Sequence, residues 1–404
     1  MIIAVSSHPA QYRAPLYRYL SQHPDTAIRA VYLRDTHLRE SYDPDFATAF
    51  RWAVDLLGGY DSVFLQRGAG RRRFSFWSSM VASFAAVRQA LESVTSPPAV
   101  LLHSHATPEG LGGFLAAKAS RVPAMLMTES ELFRRRSIAK RIMRGLVFPA
   151  LLRLYDALLY IGTNNRSFYE RYGVKDERLF FTPYSVDNAG FIADLAGHLA
   201  ARNGTRRELG AGSKEPLLLF AGKLIARKRP LDVIKAVATL EPSRRPFVVF
   251  VGSGPLASSL RETAKALGVS KFAITGFKNA NEMGRYYAAA DALVLPSEFE
   301  TWGLVVNEAM VHSLPSIVSD QCGCALDLVQ DGRTGYRFPA GDIKALADRI
   351  ARVFRDNVQY RTMGETGRAV INTWSYVEVQ SGLRKALAAV ARTSDLSSRT
   401  KTFG

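Results

Sequence analysis

Four apolar residues, Ala292–Leu295, run directly into Pro296, and a helical pattern opens near Gly303 after a short polar turn. The segment therefore reads strand, loop, helix. That unit belongs in an open α/β sheet, where ligands bind just past the carboxyl ends of strands. The first N–H groups of the new helix lack intrahelical partners and suit a phosphate. Two carboxylates flank this start, Glu300 in the loop and Glu308 within the helix. Eight helical steps would separate them by ~12 Å, and carboxylates accept hydrogen bonds from hydroxyls.

The same alternation recurs along the chain. Met1–Val5, Ile28–Leu33, Ala99–Leu102, Ala124–Thr128 and Tyr155–Ile161 read as strands in the first half. Pro216–Ala221, Phe247–Val251 and Phe272–Thr275 do so in the second. Helical stretches such as Gly110–Ser120 and Leu256–Leu267 lie between them. Such βαβ order builds parallel sheets, and 404 residues exceed one ordinary core, so two domains are expected. Phe191–Lys214 reads as a charged connection between them.

Just past the strand ending at Ala221 stands Gly222-Lys223, with Lys228 five residues further on and Arg227 and Arg229 beside it. Cations at that point would stabilise a departing diphosphate. Glu300, Gly303, Glu308, Ala309 and Met310, together with Gly222, Lys223 and Lys228, resemble the donor site of family-4 glycosyltransferases, which are of the GT-B type. The resemblance covers about Pro216 to Arg355 and is loose before that. It implies an α/β GT-B architecture, two Rossmann-like domains with parallel sheets facing a central cleft. Residues 1–190 would form an acceptor domain and 191–374 a nucleotide-sugar donor domain. A C-terminal helix, 375–391, would pack back on the first domain, leaving 392–404 as a polar tail.

The activity implied is metal-independent, cofactor-free retaining transfer of a sugar from a nucleotide-sugar to a glycan or lipid-linked acceptor, as in polysaccharide or glycoconjugate biosynthesis. Lys223 and Lys228 would steady the leaving diphosphate, and Glu300 the donor sugar. Glu308 would grip the ribose, with Gly222, Phe277, Thr301, Trp302, Gly303 and Leu304 as further donor contacts. Phe277 would lie near the base. A nucleotide-sugar epimerase of the same type is the alternative activity. A basic nucleic-acid-binding protein is a third reading, but the chain has neither zinc-finger spacing nor an RNA-binding aromatic signature.

The first half departs from the family pattern. Ser6–Ala14 contains no glycine to admit a phosphate. His8, Gln11 and Tyr12 face the acceptor there or serve as turn residues. His105, past another strand, is a cleft residue or a structural histidine. Thr128-Glu129-Ser130 stands where the family often has a histidine, so Glu129 binds substrate or caps a helix. Asp43 and Asp45 resemble a metal-holding pair of a different glycosyltransferase fold. With Pro44 between them, they read as a solvated turn.

The formal net charge is +17, which favours anionic partners over neutral ones. Arg67, Arg71, Arg72, Arg73 and Arg88 form one acid-free stretch, and Leu132–Arg153 forms another with seven basic residues. In the second, Ile138, Ile142, Met143, Leu146 and Val147 recur at helical spacing up to Pro149, where a helix should bend or end. It reads either as a helix on an anionic membrane surface or as one packed in the core. No leader and no run long enough to cross a membrane is visible, and Cys322 and Cys324 are too close for a disulfide. The expected location is cytoplasmic, peripheral at the inner membrane face.

Overall fold

The structure is a computed structural model that describes residues 1–36, 38–65, 75–94, 99–132 and 137–400. Its first half runs β1 (Ile2–Ser6), α1 (Arg13–Ser21), β2 (Ile28–Tyr32), β3 (Ser41–Asp43), β4 (Thr48–Phe50), β5 (Asp61–Phe64), α2 (Phe76–Glu92), β6 (Ala99–Leu102), α3 (Pro108–Ala119), β7 (Ala124–Met127), α4 (Ile138–Arg153), β8 (Ala157–Tyr160), α5 (Thr163–Arg171) and β9 (Leu179–Phe181). The second half continues with α6 (Asn188–Ala200), α7 (Arg202–Leu209), β10 (Leu217–Ala221), α8 (Pro230–Ala238), β11 (Phe247–Val251), α9 (Ala257–Ala266), β12 (Phe272–Gly276), α10 (Ala280–Ala289), β13 (Ala292–Leu295) and α11 (Leu304–Val311). It closes with β14 (Ser316–Ser319), α12 (Ala325–Leu328), β15 (Gly335–Phe338), α13 (Ile343–Val353), α14 (Asn357–Ile371) and α15 (Tyr376–Thr400).

The chain forms two units. The first holds Met1–Arg39, Asp55–Tyr184 and the chain from Tyr376 on, and the second holds Glu40–Val54 and Ser185–Ser375. Each is built on a parallel sheet of short strands whose central members, such as β6 and β13, are apolar and buried throughout, the pattern of a sheet covered on both faces. In the first unit the strand order is β5-β2-β1-β6-β7-β8-β9, and in the second β12-β11-β10-β13-β14-β15. Both orders reverse once, between β1 and β6 and between β10 and β13. In the second unit Leu218 pairs with Ala292 and Leu219 with Leu293 across that reversal. Two loops therefore leave adjacent strand ends in opposite directions and open a crevice there.

Local signals set the helix starts. Thr107 accepts the N–H of Gly110 at the head of α3, with Pro108 at its first position. Asn279 and Glu282 form a reciprocal capping box on α10, and Asp342 caps α13 through the N–H of Ala345. In the first unit, Val87, Ala116 and Phe148 cover one sheet face. Tyr17, Leu20, Val379 and Leu383 of α1 and α15 cover the other.

Several expectations need correction. Phe191–Lys214 is no loose connection: most of it is α6 and α7, and Arg206 of α7 is 1% exposed. Arg206 donates to Asp291 Oδ2 at 2.6 Å and to the carbonyls of Ala289, Gly212, Ser213 and Glu215 at 2.9–3.1 Å. The sequence reads as a charged connection here because the acceptors of Arg206 are mostly backbone carbonyls, which carry no residue signature. The helix α4 does not stop at Pro149 but runs through it to Arg153. The carbonyl left without a donor belongs to Gly145, on an exposed turn that water can serve. The final helix continues to Thr400 where a polar tail was expected. Arg67, Arg71, Arg72, Arg73, Arg134, Arg135 and Arg136 lie outside the described residues.

Without Arg206, Asp291 keeps Arg202 Nη2 at 2.5 Å and the Leu217 N–H at 2.8 Å, but four carbonyls lose their donor, and a buried acceptor left without one costs about 1–3 kcal/mol. Arg206→Met is expected to lower the stability of the second unit by an amount of that order, read as a fall in the denaturant midpoint. Arg245→Met, at a half-buried arginine that also serves carbonyls but no carboxylate, is expected to cost less.

Candidate functional site

The crevice of the second unit is lined by loops whose backbones touch. Gly222 follows β10 and Gly252 follows β11. Gly252 has φ 151°, and a Cβ there would lie 1.9 Å from the carbonyl oxygen of Gly222. Only glycine permits that approach. The loop after β13 is tied on both sides. Glu298 N–H donates to Arg227 O at 2.9 Å, Glu300 N–H to Gln321 O at 3.1 Å, and Gly323 N–H to Glu300 O at 3.0 Å. Glu300 is thereby fixed at the carboxyl end of β13, beside the loop that follows β10.

Lys228, at the end of a short 3₁₀ turn, donates through Nζ to Glu300 Oε2. Both side chains are only 14% exposed, so this is a largely desolvated ion pair. Ser297 Oγ lies 3.5 Å from the same oxygen. Beyond Glu300 the chain turns at Gly303, φ 107°, and α11 begins at Leu304. Thr301 and Leu304 are half-buried. Trp302 is 2% exposed, stacked on Trp374 at 5.2 Å, and its Nε1 donates to Asn307 Oδ1 at 2.9 Å. Its indole anchors the turn, and only its backbone is placed to meet a ligand.

Two residues stand in unexpected company. Lys223 Nζ is 3.2 and 3.0 Å from the two carboxylate oxygens of Asp43 and 3.1 Å from Asp45 Oδ2. Asp43 and Asp45 are thus partners of the site's lysine, although Asp45 stays 54% exposed in its turn. Hydrogen bonding and ion pairing with Lys223 outweigh the burial of Asp43 and hold its carboxyl below the usual range. Phe277, past β12, stacks on Phe50 with ring centroids 4.2 Å apart.

Residues 202–370 match the family model of glycosyl transferases group 1. This stretch of the chain is a group 1 glycosyl transferase domain. Among relatives, the sulfoquinovosyl transferase SQD2 of Arabidopsis thaliana is 31% identical over 158 residues, 38% of this chain and 30% of that one. The D-inositol 3-phosphate glycosyltransferase of Nocardia farcinica is 29% identical over 234 residues, 55% of this chain and 50% of its own length. The matched part thus spans half or less of these relatives. Among solved structures, sucrose-phosphate synthase from Thermosynechococcus elongatus aligns with a TM-score of 0.67 at 18% identity, over 100% of this chain and 99% of that one. The Anabaena protein HepE in complex with UDP aligns at 0.71 and 14%, over 96% and 99%. These likenesses establish the GT-B fold, two Rossmann-like domains.

Within the group 1 domain, Glu308 lies one helix turn inside α11, apart from the Lys228–Glu300 pair. Its Oε2 accepts the Tyr287 hydroxyl at 2.5 Å. Burial pushes its carboxyl up to about 7, against the lowering effect of the tyrosine bond. The Nδ1 of His312 lies 2.8 Å from the Glu308 backbone carbonyl, and burial brings this imidazole down to about 4. His312 is therefore neutral at pH 7, with Nδ1–H as the donor.

In the first unit, the strand ends beside the β1/β6 reversal gather polar groups. His8 Nδ1 is 2.9 Å from Ser7 Oγ, and Gln11 Oε1 is buried without a hydrogen-bond partner. His105 packs edge-on against Phe148 at 5.1 Å, its Nδ1 likewise unpartnered. Glu129 accepts the Tyr184 hydroxyl at 2.6 Å. The sequence reading misses three neighbours: Arg13, which donates to Ser6 Oγ at 3.3 Å, Tyr184, and His103, paired with Tyr17 at 2.7 Å. The signal was present, since Ser6, His103 and Tyr184 all lie at or just past strand ends. Among the described residues no group of three His, Cys, Asp or Glu side chains is placed to hold a metal.

A raised carboxyl has a definite consequence for stability. With its folded value near 7 and a reference value of 4.5, Glu308 favours the folded state below pH 4.5. That contribution is lost as pH climbs through 7. Glu308→Gln does not titrate, so it is expected to gain melting temperature over the wild type between pH 5 and pH 8. Scanning calorimetry at both values measures this; equal differences at the two pH values would show that Glu308 is not buried with a raised pKa.

Proposed function

We propose that this chain is a retaining glycosyltransferase that moves a sugar from a nucleotide-sugar to a glycan or lipid-linked acceptor. The observation that carries the reading is the largely desolvated Lys228–Glu300 pair at the strand-order reversal of a group 1 glycosyl transferase domain. A cation and a carboxylate that satisfy each other without ligand are well matched to a donor with a charged and a neutral half. The diphosphate takes the lysine, and the freed carboxylate receives sugar hydroxyls. HepE, which shares the fold, holds UDP.

In this mechanism the acceptor hydroxyl attacks on the face from which the diphosphate departs, and a phosphate oxygen takes its proton. Lys228 and Lys223 stabilise the charge that builds on the leaving oxygens, helped by N–H groups near Gly303. Glu300 steadies the cationic sugar. Glu308 accepts from ribose hydroxyls with the oxygen that Tyr287 leaves open. Gln11 and His105 offer buried polar atoms, and Glu129 a carboxylate, to an acceptor in the first unit. Retention of configuration, independence of metal and the division of labour between the glutamates rest on the family resemblance.

The proposed location is the cytoplasmic face of an anionic membrane. No helix among the described residues is long and apolar enough to cross one. The support comes from α4, whose Ile138, Ile142, Met143, Leu146 and Val147 are 52–76% exposed beside exposed Lys140 and Arg141. Only Phe148 and Leu152 of this helix are buried, so core packing does not account for its apolar face. Phe76, Trp77 and Val81, at the start of α2 in the same helix layer, are exposed as well. Apolar side chains framed by cations suit the boundary between headgroups and acyl chains.

Two outcomes test this reading. Glu300→Gln is expected to lower kcat by ~10²-fold or more while sparing nucleoside-diphosphate affinity, whereas Glu308→Gln should weaken the diphosphate itself by about ten- to hundredfold. Calorimetry and steady-state kinetics separate the two, and the reverse pattern would exchange the assigned roles. In vesicle flotation, the protein should rise with anionic vesicles and less so as salt increases. Ile142→Ser with Leu146→Ser should abolish flotation, and equal flotation on neutral vesicles would refute the electrostatic part.

A further inference from the structure

The segment 40–54 lies in the chain between two strands of the first unit, yet it packs with the second. Its core is the antiparallel β3–β4 ribbon, with Tyr42 opposite Ala49 and Asp43 opposite Thr48. The tip is rigidly turned, because Asp43 Oδ1 accepts the N–H groups of Asp45 at 2.8 Å and Phe46 at 3.2 Å. Four separate points fasten the ribbon. Lys223 Nζ is held by three carboxylate oxygens, from Asp43 and Asp45. Ser253 Oγ–H donates to Phe46 O at 2.7 Å, and the Ala53 N–H donates to Asn279 Oδ1 at 3.1 Å. Finally, Phe277 is covered by Phe50 at 4.2 Å, Phe46 at 4.9 Å and Trp52 at 5.9 Å.

The chemistry of this contact matches that of a ligand. Carboxylate oxygens sit on the lysine that follows β10, as phosphate oxygens would. An aromatic ring lies nearly parallel to Phe277, 26° between planes, as a base would. The tip also presses on the backbone after β11. A Cβ on Gly254 would come within 2.7 Å of the Leu224 carbonyl oxygen and 2.9 Å of the Asp45 carbonyl oxygen, so that glycine admits both the β10 loop and the ribbon. An ordinary surface hairpin has no need to supply a twofold anion and a flat ring to the two groups that would read a nucleoside diphosphate.

We propose that the β3–β4 ribbon is an internal competitor of the donor, a plug that must leave Lys223 and Phe277 before a nucleoside diphosphate can occupy them. The proposal rests on the donor-site reading above and adds its regulation. The ribbon is part of the same chain, so it competes at a fixed effective concentration whatever the amount of protein. The apparent donor affinity is the intrinsic affinity multiplied by the fraction of molecules with the ribbon withdrawn. Conditions that loosen the carboxylate–lysine contact raise that fraction.

The test titrates UDP, GDP and ADP in turn into the wild type, into Asp43→Asn with Asp45→Asn, and into Phe50→Ala, by calorimetry. Whichever nucleotide the wild type binds should bind about tenfold tighter to both variants, as expected if roughly one ribbon in ten is withdrawn in the wild type. Lys223→Ala in the asparagine background should cancel the gain. Hydrogen exchange of 41–54 should quicken when nucleotide is added. Unchanged or weaker binding by the asparagine variant overturns the proposal, weaker binding meaning that the aspartates hold Lys223 ready. Slower exchange with nucleotide overturns it too, since the ribbon would then be closing over the ligand. If neither the wild type nor any variant binds any of the three nucleotides, the donor-site reading itself falls, and the plug with it.

Discussion

In the second unit, β10 and β13 lie side by side while their connections depart to opposite sides of the sheet. That reversal is the constraint from which the rest of the site follows. It places the loop carrying Lys223 and Lys228 against the loop carrying Glu300, with no helix crossing between them. The glycine contact at 222 and 252 brings the β11 loop close as well. The ion pair of Lys228 and Glu300 then becomes the natural resting state, since each charge would be poorly solvated alone at 14% exposure. Reaction chemistry at such a place needs little further construction, because the charges are already desolvated and oriented.

Much of this was legible in the amino-acid order, for a specific reason. Gly222, Lys223 and Lys228 sit on one loop, and Glu300 and Gly303 on another that leads into the helix carrying Glu308. Local patterns of that kind survive in the sequence because each is a strand end followed by a turn. The alternation of apolar runs with helical stretches likewise announces parallel sheets. What spacing conveys is where the backbone goes. It does not convey what occupies a side chain. Trp302 stands in the middle of the motif, yet its ring is spent on Trp374 and Asn307.

The features that escaped are those made by distant partners. Asp43 and Lys223 are 180 positions apart, and nothing near either one marks the pairing. The buried Arg206 joins residues 83 and 85 positions away through a carbonyl and a carboxylate. For α4, helical periodicity was compatible with a core stripe and with a membrane stripe alike. Spacing does not say which side chains are covered, and in the structure only Phe148 and Leu152 of this helix are buried.

The path of the chain carries one more consequence. The first unit is finished by α15, whose Val379, Leu383, Ala386 and Val390 pack with Ile2, Ala4, Tyr17 and Leu20. During synthesis that face of the β1 sheet must wait, uncovered, until the whole second unit has emerged from the ribosome. The first half to be made is thus the last to be sealed, and the second unit, continuous from Ser185 to Ser375 apart from its ribbon, can fold in the interval. Loss of the chain from Tyr376 on would leave the later-made unit nearly whole while exposing an apolar sheet face on the earlier one, the kind of surface that chaperones hold and that aggregates form on.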